Sequence, residues 1–124
     1  MVTRELPMRQ RGGVCGIPIA IDAGLATQTA ELLKAMADPT RVAMVAALAR
    51  SKAPVCICDF TSAFSLTQPT ISHHMSKLKA AGLVEATRRG VWTYYELRGE
   101  LPAPVAQIVE SVVAGTLPRS SVPG

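Results

Sequence analysis

The chain has only three cysteines in 124 residues, Cys15, Cys56 and Cys58. An odd, sparse set is not the even, denser framework that staples small secreted domains, so it favours a reducing, cytoplasmic setting. No apolar run reaches the length needed to cross a bilayer. The stretch GGVCGIPIAIDAGLA, Gly12 to Ala26, follows Arg4, Arg9 and Arg11 in the manner of a signal peptide. Asp22 interrupts its apolar part, however, and a charge there is poor for translocation. The sequence also lacks an internal repeat, a phosphate-type anion loop, a general base near the thiols of Cys56 and Cys58, and a plausible active-site acid pair. Those absences set aside an enzyme such as a thiol-based reductase.

What is present suits one folded unit with modest tails. The composition is 48% hydrophobic with nine glycines and nine prolines, ordinary for a globular domain and too apolar for a disordered one. The net charge is +4 and the pI about 9.3. The charge is concentrated: Lys77, Lys79, Arg88, Arg89 and Arg98 face only Glu85 and Glu96 between Ser65 and Arg98. A polyanion is therefore a plausible partner, although so small an excess also serves solubility alone.

Residues 1–20 carry Pro7, Gly12, Gly13, Gly16 and Pro18 without periodicity and are expected to form a flexible arm bearing Cys15. Residues 21–115 make the folded domain, and 116–124 a tail. Leu25, Thr29, Leu32, Leu33 and Met36 fit one helical face ending near Ala37. Asp38-Pro39 is an N-cap followed by a first-turn proline, with Val42, Val45, Leu48 and Ala49 as the stripe behind it. A short helix over Asp59 to Phe64 follows. Thr67 then caps a helix from Gln68 to about Ala81 that Gly82 ends. Strands over Val84–Thr87 and Val91–Leu97 are predicted to join across Arg88-Arg89-Gly90. Leu101, Val105, Ile108 and Val112 mark a last helix, closing near Gly115.

The expected class is thus mainly α with a small β-hairpin, in winged helix-turn-helix order. In that motif the second helix of the pair enters the major groove and the hairpin touches the backbone. On the helix from Gln68, Ile71, Met75 and Leu78 form the buried line. Pro69, Ser72, His73, Ser76 and Lys77 face outward. Gln68 suits adenine, Lys77 a phosphate or guanine, and Arg88 and Arg89 phosphates or a narrow minor groove. Thr70 completes the candidate contacts to double-stranded DNA. The alternative is an amphipathic helix with a solvated face. His73 and His74 diverge by about 100° and cannot share an ion, so His74 is read as structural and His73 as a DNA contact.

Cys56 and Cys58 would diverge by about 200° on a regular helix but point the same way on extended chain. Pro54 and a helix start near Cys56 place one thiol at or before the cap and the other in the first turn, a position expected to lower thiol pKa. Soft thiolates select soft ions. The alternatives are that the cysteines are small buried hydrophobes, or that an inter-arm disulfide through Cys15 senses oxidants.

The segments LLKAMADPTRVAMVAAL, CICDF and TQPTISHHMSKLKAAGLVEATRRGVWTYYEL together resemble the ArsR/SmtB family of bacterial metal-sensing repressors, over about residues 25–113. That resemblance implies a homodimer built on the first and last helices, bound to a palindromic operator and released by a toxic metal or metalloid. CICDF is similar to the family's C-x-C-D-L signature of arsenic, antimony, cadmium and lead sensors, with Phe60 in place of leucine. Thr61 stands where some arsenic sensors carry a third cysteine. The resemblance therefore points to Cys15 of an N-terminal arm as the third ligand beside Cys56 and Cys58. The family's other zinc site needs histidines on the last helix, and no histidine follows His74. Three thiolates complete trivalent arsenic or antimony, whereas zinc normally takes four ligands. Arsenite or antimonite is thus the expected inducer. Cadmium or lead (or zinc) is the alternative, with water or Asp59 as a fourth ligand, and thiol redox sensing a further one.

Overall fold

The computed structural model describes residues 5, 6, 8, 11–13 and 15–116. The remaining parts of the expected arm, and all but the first residue of the expected tail, lie outside the described residues. Within them the chain runs α1 (Ala23–Met36), α2 (Pro39–Arg50), β1 (Val55–Cys56), α3 (Ile57–Phe64), α4 (Gln68–Ala80), β2 (Val84–Arg89), β3 (Trp92–Leu97) and α5 (Ala103–Thr116).

Local chemistry sets most boundaries. Asp38 accepts from the Arg41 N–H at 3.1 Å and caps α2 with Pro39 behind it. Thr67 caps α4, accepting from Thr70 N–H at 3.4 Å. Between α3 and α4, Ser65 takes a left-handed φ of 54°, which folds the chain back so that the two helices form the helix-turn-helix pair. After α4, Ala81 is the C-cap and Gly82 follows at φ 78°; Leu83 N–H then returns to the Leu78 carbonyl at 3.0 Å. That closure needs a residue free of a Cβ penalty, and it turns the chain straight into β2.

Two expectations are corrected. The sheet is not a lone hairpin but three antiparallel strands in the order β1-β3-β2, with Val55 opposite Tyr95 and Cys56 opposite Tyr94. Strand β2 also runs two residues further than expected, so Arg88 pairs with Thr93 and Arg89 with Trp92, and Gly90-Val91 make the turn. The arginines sit at the end of a strand rather than in the loop, because Gly90, at φ 62°, supplies the tight reversal. The core gathers Met44 and Val45 of α2, Phe60 of α3, Ile71, Met75 and Leu78 of α4, and Leu83 and Val84, all essentially inaccessible to solvent. The recognition-type helix α4 is thereby anchored along the predicted Ile71-Met75-Leu78 line, with its opposite face free.

Candidate DNA interface and thiol site

On that free face Gln68, Ser72, His73, Ser76 and Lys77 are all exposed. Thr70 is half-buried and its hydroxyl lies 2.8 Å from that of Thr67, so it belongs to the helix cap more than to an outward surface. Ser76 Oγ donates to the His73 carbonyl at 2.7 Å. Arg88 and Arg89 are both exposed at the wing, but as neighbours on a strand they point to opposite faces. Arg89 shares an open groove of about 480 Å³ with Pro54, Thr87, Tyr94 and Glu96, on the face that carries Tyr94 opposite Cys56. Val91 and Trp92 extend the wing tip and are 75% and 49% exposed. Large apolar side chains at a solvent-facing turn were not anticipated; their position beside Gly90 was the available signal.

The thiol site lies where strand β1 meets helix α3. Cys56 is the N-cap of α3, in an extended conformation (φ −69°, ψ 143°), and Cys58 is in the first helical turn. Asp59 anchors the same turn, its carboxylate accepting from the Cys56 N–H at 3.3 Å. Because Cys56 is still extended, its side chain is not on the helical wheel, and Cys58 Sγ donates to Cys56 Sγ across 2.9 Å. One thiol at the cap and the other in the first turn is the expected placement, and there the two sulfurs already lie together.

The expected lowering of thiol pKa by the helix start does not hold for Cys58. Its thiol is raised above its ordinary value, first by the hydrogen bond it donates to Cys56, then by desolvation, the neighbouring Cys56 and the Asp59 carboxylate. Cys56 is buried and Cys58 exposed, so one sulfur faces the core and the other opens to solvent. Cys15 is exposed in the irregular segment before α1. Among the described residues of one chain, no three His, Cys, Asp or Glu side chains converge on a common centre. Cys56 and Cys58 are brought together; Cys15 and Asp59 do not complete a set with them.

A short helix, a left-handed turn, a second helix with a free polar face and a basic wing define a winged helix-turn-helix DNA-binding regulator. The profile of the bacterial regulatory protein arsR family matches residues 38–86, the stretch from the α2 cap to the wing. Over 82 residues the chain is 39% identical to the arsenic resistance transcriptional regulator ArsR1 of Pseudomonas putida, spanning 66% of this chain and 63% of that protein, short of two thirds of the relative's length. It is 35% identical to the arsenical resistance operon repressor of Escherichia coli, over 64% of this chain and 68% of that one. The homodimeric winged helix-turn-helix DNA-binding domain of a possible ArsR-family regulator from Mycobacterium bovis superposes with a TM-score of 0.63. It is 31% identical and covers 75% of this chain and 82% of the other. The chain belongs to the arsR family of DNA-binding transcriptional regulators. Among the described residues no helix is long and apolar enough to cross a membrane.

Proposed function

We propose that the chain is a cytoplasmic repressor that binds palindromic operator DNA as a homodimer and leaves it when trivalent arsenic or antimony is captured by Cys56 and Cys58, with Cys15 of an N-terminal arm as third thiolate. The observation that carries the reading is the 2.9 Å approach of the two sulfurs at the joint between the wing sheet and the helix preceding α4. The names of the arsenic-resistance relatives point the same way. Dimerisation is supported by α5, in which only Val109 is buried while Val105, Ile108, Val112 and Val113 remain half-covered, and by the exposed Leu25 and Leu33 of α1. These faces suit a second copy of the same helices.

The protonation of Cys58 favours a hydroxylated metalloid over a divalent cation. Arsenite, As(OH)3, condenses with three thiols to give an As(SR)3 centre and three waters, with no net proton released. A divalent ion must instead expel the thiol protons into solution. A raised Cys58 pKa therefore opposes cadmium, lead or zinc at neutral pH and leaves arsenite nearly unaffected. Below the Cys58 pKa, cadmium affinity should rise at least about tenfold per pH unit for the proton it displaces, whereas arsenite affinity should change by less than about threefold between pH 6 and 8. Calorimetric titration of the reduced protein with each ion at both pH values checks this, and a steep rise for arsenite would contradict it.

Capture at the sulfur pair ties β1 to α3. Cys56 stands opposite Tyr94 of the wing strand, and α3 packs on α4, so a bound ligand acts on both DNA-facing elements at once. Tenfold release needs only about 1.4 kcal/mol of coupling. For the DNA side, Arg88→Ala and Arg89→Ala should each weaken binding almost equally across sequences and lower the salt slope of binding by about 1. Fluorescence anisotropy on a labelled duplex at several salt concentrations measures both quantities.

A further inference from the structure

Away from the thiols and the outward face of α4, two side chains from α2 and its cap, Arg41 and Asp38, meet His74 of the recognition helix at a polar junction. Arg41 of α2 donates through Nε to the Ala35 carbonyl at the end of α1, at 2.6 Å, and its Nη1 lies 3.2 Å from Nδ1 of His74 on α4. Asp38, whose carboxylate takes the Arg41 N–H, lies 3.9 Å from the same His74 nitrogen. Its carboxyl is held below its ordinary value, chiefly by that backbone hydrogen bond, with further help from the Arg41 charge. A guanidinium has no acceptor, so it can only donate to Nδ1; the network thus assigns the ring proton of neutral His74 to Nε2.

Among the described residues, Arg41 to His74 is the one side-chain hydrogen bond that joins α4 to another helix. Beside it, the space between α1 and the second half of α4 is an open groove of about 450 Å³, bordered by Glu31, Lys34, Lys77 and Ala80 with Arg41. On that flank the guanidinium reaches across from the end of α1 to α4, beside the core residues Leu32, Ala35 and Met36. The buried line Ile71, Met75 and Leu78 holds α4 down, but apolar contact is non-directional and tolerates small rolls of a helix. A hydrogen bond with a fixed donor fork is directional.

We propose that Arg41 and His74 are positioning residues for DNA reading, fixing the roll of α4 so that Gln68, Ser72 and His73 meet base edges in one register. The proposal rests on the DNA-recognition reading of α4. Base contacts need that register, whereas attraction of Lys77, Arg88 and Arg89 to phosphates survives its loss. The quantity that reports the device is therefore the ratio of specific to non-specific affinity.

The test uses a duplex selected from a random library by the unsubstituted protein, against a scrambled duplex of equal length. His74→Leu should lose tenfold or more of the ratio while binding the scrambled duplex unchanged. His74→Asn, whose Oδ1 stands where Nδ1 does and can still accept, should recover the ratio to within about threefold. If His74→Leu does not fold by circular dichroism, Arg41→Lys serves in its place, since one ammonium cannot reproduce the planar fork; it should lose the ratio likewise. Equal loss on both duplexes, in step with reduced melting temperature, would mean a purely structural role and overturn the proposal. A full ratio in His74→Leu or Arg41→Lys would overturn it too. An unsubstituted protein with no preference for any duplex would overturn the DNA-recognition reading and the proposal together, so the two failures are distinguishable.

Discussion

Cys56→Ser and Cys58→Ser should each bind operator DNA within about threefold of the unsubstituted chain, and each should stay bound at arsenite concentrations that release it. The fold has reason to tolerate both changes. Serine is among the preferred residues at a helix N-cap, the position Cys56 holds, and Cys58 is exposed in the first turn. The effector response has no such tolerance, because a hydroxyl is a hard, poorly ionised donor in place of a soft thiolate. Losing either sulfur leaves no pair to hold the ligand. Cys15→Ser should be milder, weakening arsenite capture while leaving a dithiol in place. Anisotropy titrations of the three variants read the outcome. Loss of operator binding by both pair variants in the absence of arsenite would mean that the thiols hold the fold rather than sense a ligand.

Phe60→Ala should cost about 3–5 kcal/mol, a large part of the roughly 5–15 kcal/mol by which a domain of this size is stable. Phe60 is 2% exposed, with its ring centroid 5.8 Å from that of Phe64 and 6.5 Å, edge-on, from that of Tyr95. It therefore fastens α3 to the middle strand of the wing sheet, directly beneath the turn that carries Cys58. Removing it leaves a cavity and frees the element whose attachment the switch depends on. Phe60→Leu retains most of the volume and should cost less than about 1.5 kcal/mol. Urea denaturation followed by circular dichroism measures both; an Ala variant within 1 kcal/mol of the parent would show that α3 is held by other contacts.

Much of this architecture was legible in the sequence because it rests on local rules. Asp38-Pro39 and Thr67 with Pro69 mark helix starts through chemistry that needs only three or four neighbouring residues, and both helices begin there. The buried line Ile71, Met75 and Leu78 follows from helical spacing alone. Strand β1 was not legible, because two residues have no readable period and their partners Tyr94 and Tyr95 lie nearly forty positions away. The cap and first-turn positions of the two thiols were readable, as the structure has them, but the meeting of the sulfurs was not. A helical wheel separates Cys56 from Cys58, but pairing with Tyr94 keeps Cys56 extended and lets the sulfurs meet. Arg41 and His74 are likewise 33 positions apart, and only the packing of α2 against α4 joins them. The same logic applies to Cys15, whose proposed partners Cys56 and Cys58 lie some forty positions away in the sequence.

The central claim is that soft-metalloid capture at the joint of β1 and α3 releases DNA. The most direct measurement is a titration of the reduced protein on its selected operator duplex with arsenite, antimonite, cadmium, lead and zinc at pH 7, read by anisotropy. Release at least tenfold more sensitive to arsenite and antimonite than to the divalent ions, saturating at one equivalent per chain, is the expected result. Release by none of the five, or release by arsenite that persists in Cys56→Ser and Cys58→Ser, would contradict it.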